Sequence, residues 1–359
     1  MKKNVAIVGC GNISEIYLTN LTTRFTNVNV YAVCDLDASR AQAKAGKHGI
    51  ERIMTLDEIL ADPAVDIVLN ITTPLSHYAL CKKILEAGKS VYVEKPLSIK
   101  YDEGRELVAI AKEKGLLIGC APDTFLGGGL QTCRKIIDDG LLGDIIGATA
   151  FMMCPGHESW HPDPEFYYQI GGGPMFDMGP YYLTALINML GSVESVSGMT
   201  SMMRKQRMIT SEKKRGTMMD VEVPTHVCGM LRFTNGALGN IITSFDVCGS
   251  SLPRIEVYGT RGSMVVPDPN TFGGEVLIKQ SFDKEFHAYP LTFGNSDNSR
   301  GLGVSDMARA LEAGTTDHRA SGNLAVHVLE IMEKIHTSSN ERREVAMEST
   351  CERPALLPL

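Results

Sequence analysis

Over its first 122 residues the chain alternates two patterns, and this alternation constrains the fold more than any other feature. Short runs rich in β-branched and apolar residues recur: "NVAIVG", "VNVYAVCD", "VDIVLNIT", "SVYVEK" and "LLIGCA". They are nearly continuous in apolar character, as strands are in a parallel sheet covered on both faces. Between them fall segments of helical spacing, over about residues 13–24, 38–47, 75–87 and 101–114; the last carries Leu107, Ile110 and Ala111 on one side. Gly88 and Gly115 stand just past two of these segments, where a left-handed cap ends a helix. Strand, helix and strand in repetition predict a doubly wound, parallel α/β domain over residues 1–122.

The texture changes beyond residue 123. A chain of 359 residues is too long for one small core, so residues 123–359 form a second domain. A helix near residues 131–138 precedes a stretch rich in glycine, proline and aromatic residues, 154–181. Then come strand-like runs, "THVCGMLRFTNGALGNIITSF" and "PRIEVYGTRGSMVV", the first with Asn235–Gly236 as a hairpin turn. Residues 205–215 are polar and basic and read as a loop. Two helices, near residues 304–313 and 323–337, close the chain and can pack back on the first domain. The second half therefore reads as α/β with a mostly antiparallel sheet.

Composition excludes several classes. Net charge is −7 with no block of Lys or Arg, which argues against a nucleic-acid partner. Nine cysteines show no CxxC pair, and Cys10, Cys34 and Cys120 sit inside apolar runs. They read as free thiols of a reducing cytoplasm and not as a disulfide or metal framework. "VAIVG" is too short for a leader or a membrane span, which points to a cytoplasmic protein.

"VAIVGCGNISEIYL" puts Gly9 and Gly11 directly after a strand and at the opening of a helix. The first glycine permits a tight turn; the second lets backbone N–H groups approach a pyrophosphate, which the helix N-terminus attracts. Ser14 stands where a third glycine is usual, and serine is also small. Asn12 and Ile13 complete the turn. Asp35 ends the next strand run, placed to accept hydrogen bonds from the adenosine ribose and to repel a 2′-phosphate. That favours NAD over NADP, although Arg40 could reach a phosphate if the loop folds back. Thr72, Thr73 and Pro74 end a further strand run, and His77 opens the next helix on the nicotinamide side. Glu94-Lys95-Pro96 follows "SVYV", again at a strand's carboxyl end, where open α/β sheets place ligands. A partly desolvated lysine there can exchange a proton with a reacting alcohol.

The glycine turn, "EKP" and "GGGPMFDMG", in that order, resemble the Gfo/Idh/MocA oxidoreductases, as do "TTPLSHYAL", "WHPDPEF" and "GVSDMARALEAG". The resemblance runs from Val5 to about Glu344. It implies a Rossmann domain followed by an α/β domain with a large open sheet, often an oligomerisation surface, and hence a homodimer or homotetramer. It implies NAD(P)-dependent chemistry on sugars and polyols, with Lys95 on the reacting hydroxyl and Asp177 as the acid that holds substrate or a partner side chain. In the family the position four beyond that acid usually carries a histidine; here it is Tyr181.

Three assignments of the proton follow. Tyr181 carries it, sharing a helical face with Asp177; or Lys95 acts alone; or a histidine from elsewhere does so, with His161 in "SWHPDPEF" placed ahead of His157 and His77. Trp160, Phe166, Tyr167 and Tyr168 suit a wall against a sugar's C–H faces, and Asp123 lies at the sheet's carboxyl edge as a further substrate contact. Gly171–Gly173 let the chain pass close to cofactor and substrate. The expected activity is hydride transfer between nicotinamide and a secondary alcohol carbon of a sugar, glycoside or polyol. The alternatives are a transient oxidation with elimination of a glycosidic substituent, and an inactive NAD- and sugar-binding regulator.

Overall fold

The computed structural model describes residues 2–358. The chain forms two compact units: the residues through Leu126 with Asp297–Leu329, and Gly127–Ser296 with the residues from Glu330 onward. Among the described residues no helix is long and apolar enough to cross a membrane.

The first unit is built on a five-stranded sheet of β1 (Lys3–Val8), β2 (Val28–Cys34), β3 (Ile67–Asn70), β4 (Ser90–Val93) and β5 (Ile118–Cys120). All its pairings are parallel, in the order β2-β1-β3-β4-β5. Every residue of β3 and β4 is buried, the physical reason for their unbroken apolar runs. The crossovers are α1 (Ser14–Thr23), α2 (Ala38–His48), α4 (Pro74–Glu86) and α5 (Tyr101–Glu113), each within two residues of its predicted bounds. A short α3 (Leu56–Ala61) was not anticipated. Its start is nonetheless written in the chain: Thr55 accepts from the Glu58 N–H while the Glu58 carboxylate accepts from that of Thr55.

The second unit centres on α6 (Gly128–Asp138), α7 (Gly173–Leu190) and a nine-stranded sheet. That sheet contains β6 (Ile145–Met153), β7 (Val193–Ser201), β10 (His226–Phe233), β11 (Leu238–Ser244), β12 (Ile255–Gly259), β13 (Gly262–Val266), β14 (Val276–Gln280), β15 (His287–Tyr289) and β16 (Val345–Ala346). Its order is β15-β14-β13-β12-β6-β11-β10-β7-β16; only β6 with β11 is parallel. Helix α7 packs on β6, β10 and β11. Val227, Leu231 and Phe233 of β10 are buried in alternation, while Met199, Met230 and Leu238 stay exposed on the opposite face. The polar segment expected to be a loop is instead a hairpin of β8 (Gln206–Met208) and β9 (Met218–Asp220). It is ordered because Arg207, Ile209 and Met219 turn inward and are buried. Helix α8 (Leu302–Ala313) lies in the first unit, and α9 (Gly322–Glu341) begins there and ends in the second.

Candidate active site

In the first unit three loops meet at the carboxyl ends of β1, β3 and β4. The sequence reverses direction across the sheet between β1 and β3, the position at which open α/β sheets bind ligands. Gly9 has φ +105°, and a Cβ there would stand 2.7 Å from the Ile71 carbonyl oxygen, so the loop after β1 packs directly on the loop after β3. A Cβ on Gly11 would meet no atom within 4 Å, which leaves open space over the turn. Asn12 and Ile13 are exposed at this turn, and α1 begins without a side-chain cap. Ser14, in the third-glycine place, is fully buried and donates to the Gly11 carbonyl at 2.6 Å. Open space, free small residues and an uncapped helix start fit a pyrophosphate.

Asp35 is fixed by two backbone donors, Cys10 N–H at 2.6 Å and Asp37 N–H at 2.8 Å. Each oxygen keeps a lone pair for a ribose hydroxyl. Burial, aided by the Asp35 charge, pushes the Cys10 thiol up to about 11, so it is an inert filler of the turn. Arg40 is exposed, with its guanidinium 3.4 Å from Asp37. Asn70, which the sequence did not single out, shapes the next loop by accepting from the Thr72 N–H and hydroxyl, while Thr73 and Pro74 start α4.

Two of the expected cofactor ligands also make hydrogen bonds inside the protein. His77 is fully buried with Nδ1 2.7 Å from the Pro96 carbonyl and Nε2 3.2 Å from that of Thr72, so it ties two loops together. Burial lowers its tendency to protonate. Glu94 accepts from the Tyr17 hydroxyl at 2.7 Å and from the Lys95 N–H at 3.0 Å. Lys95 itself is half-buried, on a loop held from both sides by these contacts.

Asp123, expected to touch substrate, instead anchors backbone. One carboxylate oxygen accepts from both Gly301 N–H at 2.9 Å and Gly303 N–H at 3.0 Å, at the start of α8. Burial outweighs these bonds and raises its carboxyl to about 6. A raised acid costs nothing while protonated, below its unfolded value, and its penalty grows as pH climbs toward 6. The displacement from 3.8 corresponds to about 3 kcal/mol. Asn at this position retains a carbonyl oxygen for the two N–H groups. Asp123→Asn is therefore expected to gain stability relative to wild type as pH rises from 4 to 8, by up to about 3 kcal/mol. Urea denaturation at both ends of that range tests this; an equal difference at the two pH values would refute it.

In the second unit the opening of α7 is the centre. Gly171 and Gly173 have φ +88° and +86°, and a Cβ on Gly172 would lie 2.5 Å from the Phe166 carbonyl oxygen. These glycines are required by the chain's own backbone, which turns tightly past the short 3₁₀ segment Glu165–Tyr168. Asp177 and Tyr181 then fall one turn apart on α7, as their spacing predicted. The histidine beside Asp177 is His157, with Nε2 3.4 Å from Oδ2. His161 lies outside it: its Nδ1 accepts from the Asp163 N–H at 3.1 Å, and burial holds its pKa below the ordinary value.

The aromatic residues divide into two sets. Trp160 and Phe166 are exposed, at 60% and 47%, and stack edge-on around His161 at 5.3 Å each. Tyr168 cannot be a substrate wall, because it is fully buried and its hydroxyl donates to Glu158 and accepts from Arg207. Arg207 is the residue that sequence reasoning missed. Its guanidinium donates to Glu158 at 2.6 Å, Asp246 at 2.6 Å and the Phe245 carbonyl at 2.8 Å, which fastens the loop carrying His157. A lone arginine in a polar segment carries no sequence signal of this kind.

Two family models match the chain. One, described as an oxidoreductase family with an NAD-binding Rossmann fold, covers residues 3–121; the other, the GFO/IDH/MocA C-terminal domain, covers residues 130–265. The D-xylose dehydrogenase of Paenarthrobacter nicotinovorans is 26% identical over 330 residues, 84% of this chain and 82% of that protein. The trans-1,2-dihydrobenzene-1,2-diol dehydrogenase of Bos taurus is 28% identical over 305 residues, 84% of this chain and 85% of the relative. A levoglucosan dehydrogenase solved with NADH and levoglucosan has the same fold, at TM-score 0.81 and 20% identity over 97% of this chain and 100% of that one. With both halves matched, and with the glycine turn and Glu94-Lys95-Pro96 at the sheet's carboxyl edge, the chain belongs to the GFO/IDH/MocA family of oxidoreductases, and its first unit is an NAD-binding Rossmann domain.

Proposed function

We propose that the protein is an NAD(H)-dependent dehydrogenase acting on a secondary alcohol of a sugar, glycoside or polyol. The observation that carries this is the half-buried Lys95 on a loop fixed by His77 and Glu94, at the same carboxyl edge of the sheet as the glycine turn and two strands from it. Bound nicotinamide supplies the two-electron acceptor or donor; everything else is position and electrostatics. The Gly9–Ile13 turn and α1 hold the pyrophosphate, and Asp35 takes the ribose hydroxyls and repels a 2′-phosphate. Lys95 donates a hydrogen bond to the reacting hydroxyl and favours its deprotonated form. On α7 of the second unit, Asp177 and Tyr181 offer a carboxylate and a phenol one turn apart, chemistry suited to sugar hydroxyls.

The test is NADH formation, followed by absorbance, on a panel of D-xylose, a D-glucoside, levoglucosan and myo-inositol. Turnover is expected with NAD, and a weaker response with NADP. Lys95→Met is expected to lower kcat/KM by about 10²–10⁴-fold while NADH binding persists. Undiminished turnover in this variant would remove Lys95 from the chemistry. Release of a glycosidic leaving group without accumulation of NADH would replace net oxidation by transient oxidation and elimination.

A further inference from the structure

We infer that Tyr17 is a positioning residue for Lys95: its hydroxyl, acting through Glu94, sets the direction in which the lysine leaves its loop and ties that loop to the helix that follows the glycine turn. This rests on the dehydrogenase reading above. Every residue involved lies in the first unit.

The inward face of α1 is the observation that points to Tyr17. Ser14, Tyr17 and Asn20 recur there at three-residue spacing, and all are buried. A buried helix face is ordinarily apolar, so a polar stripe along it needs partners. Each of the three reaches a different segment. Ser14 donates to the Gly11 carbonyl in the glycine turn, Tyr17 to the Glu94 carboxylate, and Asn20 to the carbonyls of Asn298 and Arg300 at 2.9 and 2.8 Å. Tyr17 is the member of the stripe that reaches the lysine loop. A phenylalanine ring would fill the same space; what the hydroxyl adds is the bond to Glu94.

Both oxygens of Glu94 are engaged. Oε1 accepts from the Tyr17 hydroxyl at 2.7 Å, and Oε2 accepts from the Lys95 N–H at 3.0 Å. A carboxylate bonded to the N–H of the next residue fixes the peptide between the two, and with it the direction of the lysine side chain. The backbone on either side is held separately: the Glu94 N–H donates to the Asn70 carbonyl at 2.9 Å, and His77 holds the Pro96 carbonyl. The Glu94–Lys95 peptide is the part that depends on Tyr17. Without the phenol, a buried carboxylate keeps one donor for two oxygens and turns away from the Lys95 N–H to find another. Burial, with the Glu94 charge beside it, raises the Tyr17 phenol well above its ordinary value, so it remains a donor through the working pH range.

The consequence is one rigid link from turn to lysine. The glycine turn and Tyr17 belong to the same end of α1, and Glu94 passes that position on to Lys95. Misplacing a reacting group by about 1 Å lowers a rate by up to about 100-fold, so the hydroxyl bears on turnover without touching substrate.

The experiment compares wild type with Tyr17→Phe, Glu94→Gln and the double variant. Amide hydrogen exchange, read by mass spectrometry on a peptide containing Lys95, reports the loop; urea unfolding reports the fold; NADH titration and kinetics on the sugar panel report binding and chemistry. Tyr17→Phe is expected to speed exchange of the Lys95 amide about tenfold and to lower kcat about tenfold, with KM for NAD and the NADH dissociation constant within about twofold of wild type. In Glu94→Gln one amide oxygen must serve two donors, so the hold is already broken and adding Tyr17→Phe should lower kcat little further. A lowered urea midpoint with kcat and Lys95 exchange unchanged would reduce Tyr17 to packing and overturn the inference, as would losses in kcat that simply add in the double variant. Should Tyr17→Phe fail to fold, Glu94→Gln alone must show the faster exchange and lower kcat, and wild-type values in it would also overturn the inference. Should wild type yield no NADH on the panel, the dehydrogenase reading falls, while exchange at Lys95 still decides whether Tyr17 sets this loop.

Discussion

Arg207→Met should lower the stability of the second unit by about 3–5 kcal/mol, because it leaves two carboxylates buried without their cation. The guanidinium side chain is 2% exposed, and Glu158 and Asp246 are 12% and 13% exposed. Coulomb attraction between such groups does little more than offset their desolvation, so the intact network is no large gain over an apolar core. Breaking it from one side is what destabilises. Thr225 is drawn in as well, since its hydroxyl donates to the second oxygen of Asp246. Gly156 shows how tightly the loop is pressed on this network: with φ +100°, any Cβ there would collide with Glu158, Arg207 and Tyr168. Adding Glu158→Gln and Asp246→Asn to Arg207→Met should recover much of the loss, because the stranded charges go with it. Trp160 is the only tryptophan in the chain and stands in the fastened loop. Urea unfolding followed by its fluorescence therefore reports this region directly. A midpoint unchanged by Arg207→Met would show that the loop is held by something else.

The contrast between the units explains how much was legible in the sequence. In the first, each proposed functional position is local to a strand end: Gly9 after β1, Thr72 after β3, Lys95 after β4. A parallel sheet buried on both faces writes its strands as unbroken apolar runs, so their ends, and the residues just beyond, can be counted off. Burial cannot be read that way, so the sequence does not show that His77 and Glu94, read there as cofactor ligands, also brace the loops around Lys95. Asp123 misled for the same reason, its partners Gly301 and Gly303 lying far along the chain.

In the second unit the spacing of Asp177 and Tyr181 on one helix was readable, because three or four residues define a helical face. The choice between His157 and His161 was not. Both sit on an irregular loop with no periodicity, and which ring turns toward Asp177 is decided by Arg207, on a hairpin some fifty residues later. The hairpin was itself invisible, since β8 and β9 are three residues each and carry only one or two inward-facing side chains. The triple glycine was recognised as an exclusion of side chains, but the atoms it keeps clear are the protein's own carbonyls of Phe166 and Tyr167.

The glycine turn offers a sharper test, because its two glycines should fail in different ways. Gly9→Ala puts a Cβ 2.7 Å from the Ile71 carbonyl oxygen in a backbone with φ +105°. That costs about 1–3 kcal/mol of strain before the collision is counted, so the first unit should unfold more easily and hold NADH poorly. Gly11→Ala meets no atom within 4 Å and needs no positive φ, so stability should change by no more than about 0.5 kcal/mol. Its methyl nevertheless projects into the space where a pyrophosphate would rest on the turn. The NADH dissociation constant should rise at least tenfold, a loss of about 1.4 kcal/mol. Gly46→Ala is the control: inside α2, with open space around it, it should stabilise by about 0.5–1 kcal/mol and leave NADH untouched. NADH fluorescence titration beside urea unfolding of the three variants separates fold from binding. If Gly11→Ala bound NADH as tightly as wild type, the dinucleotide would not lie across this turn, and the placement of Lys95 beside its reactive ring would lose its footing.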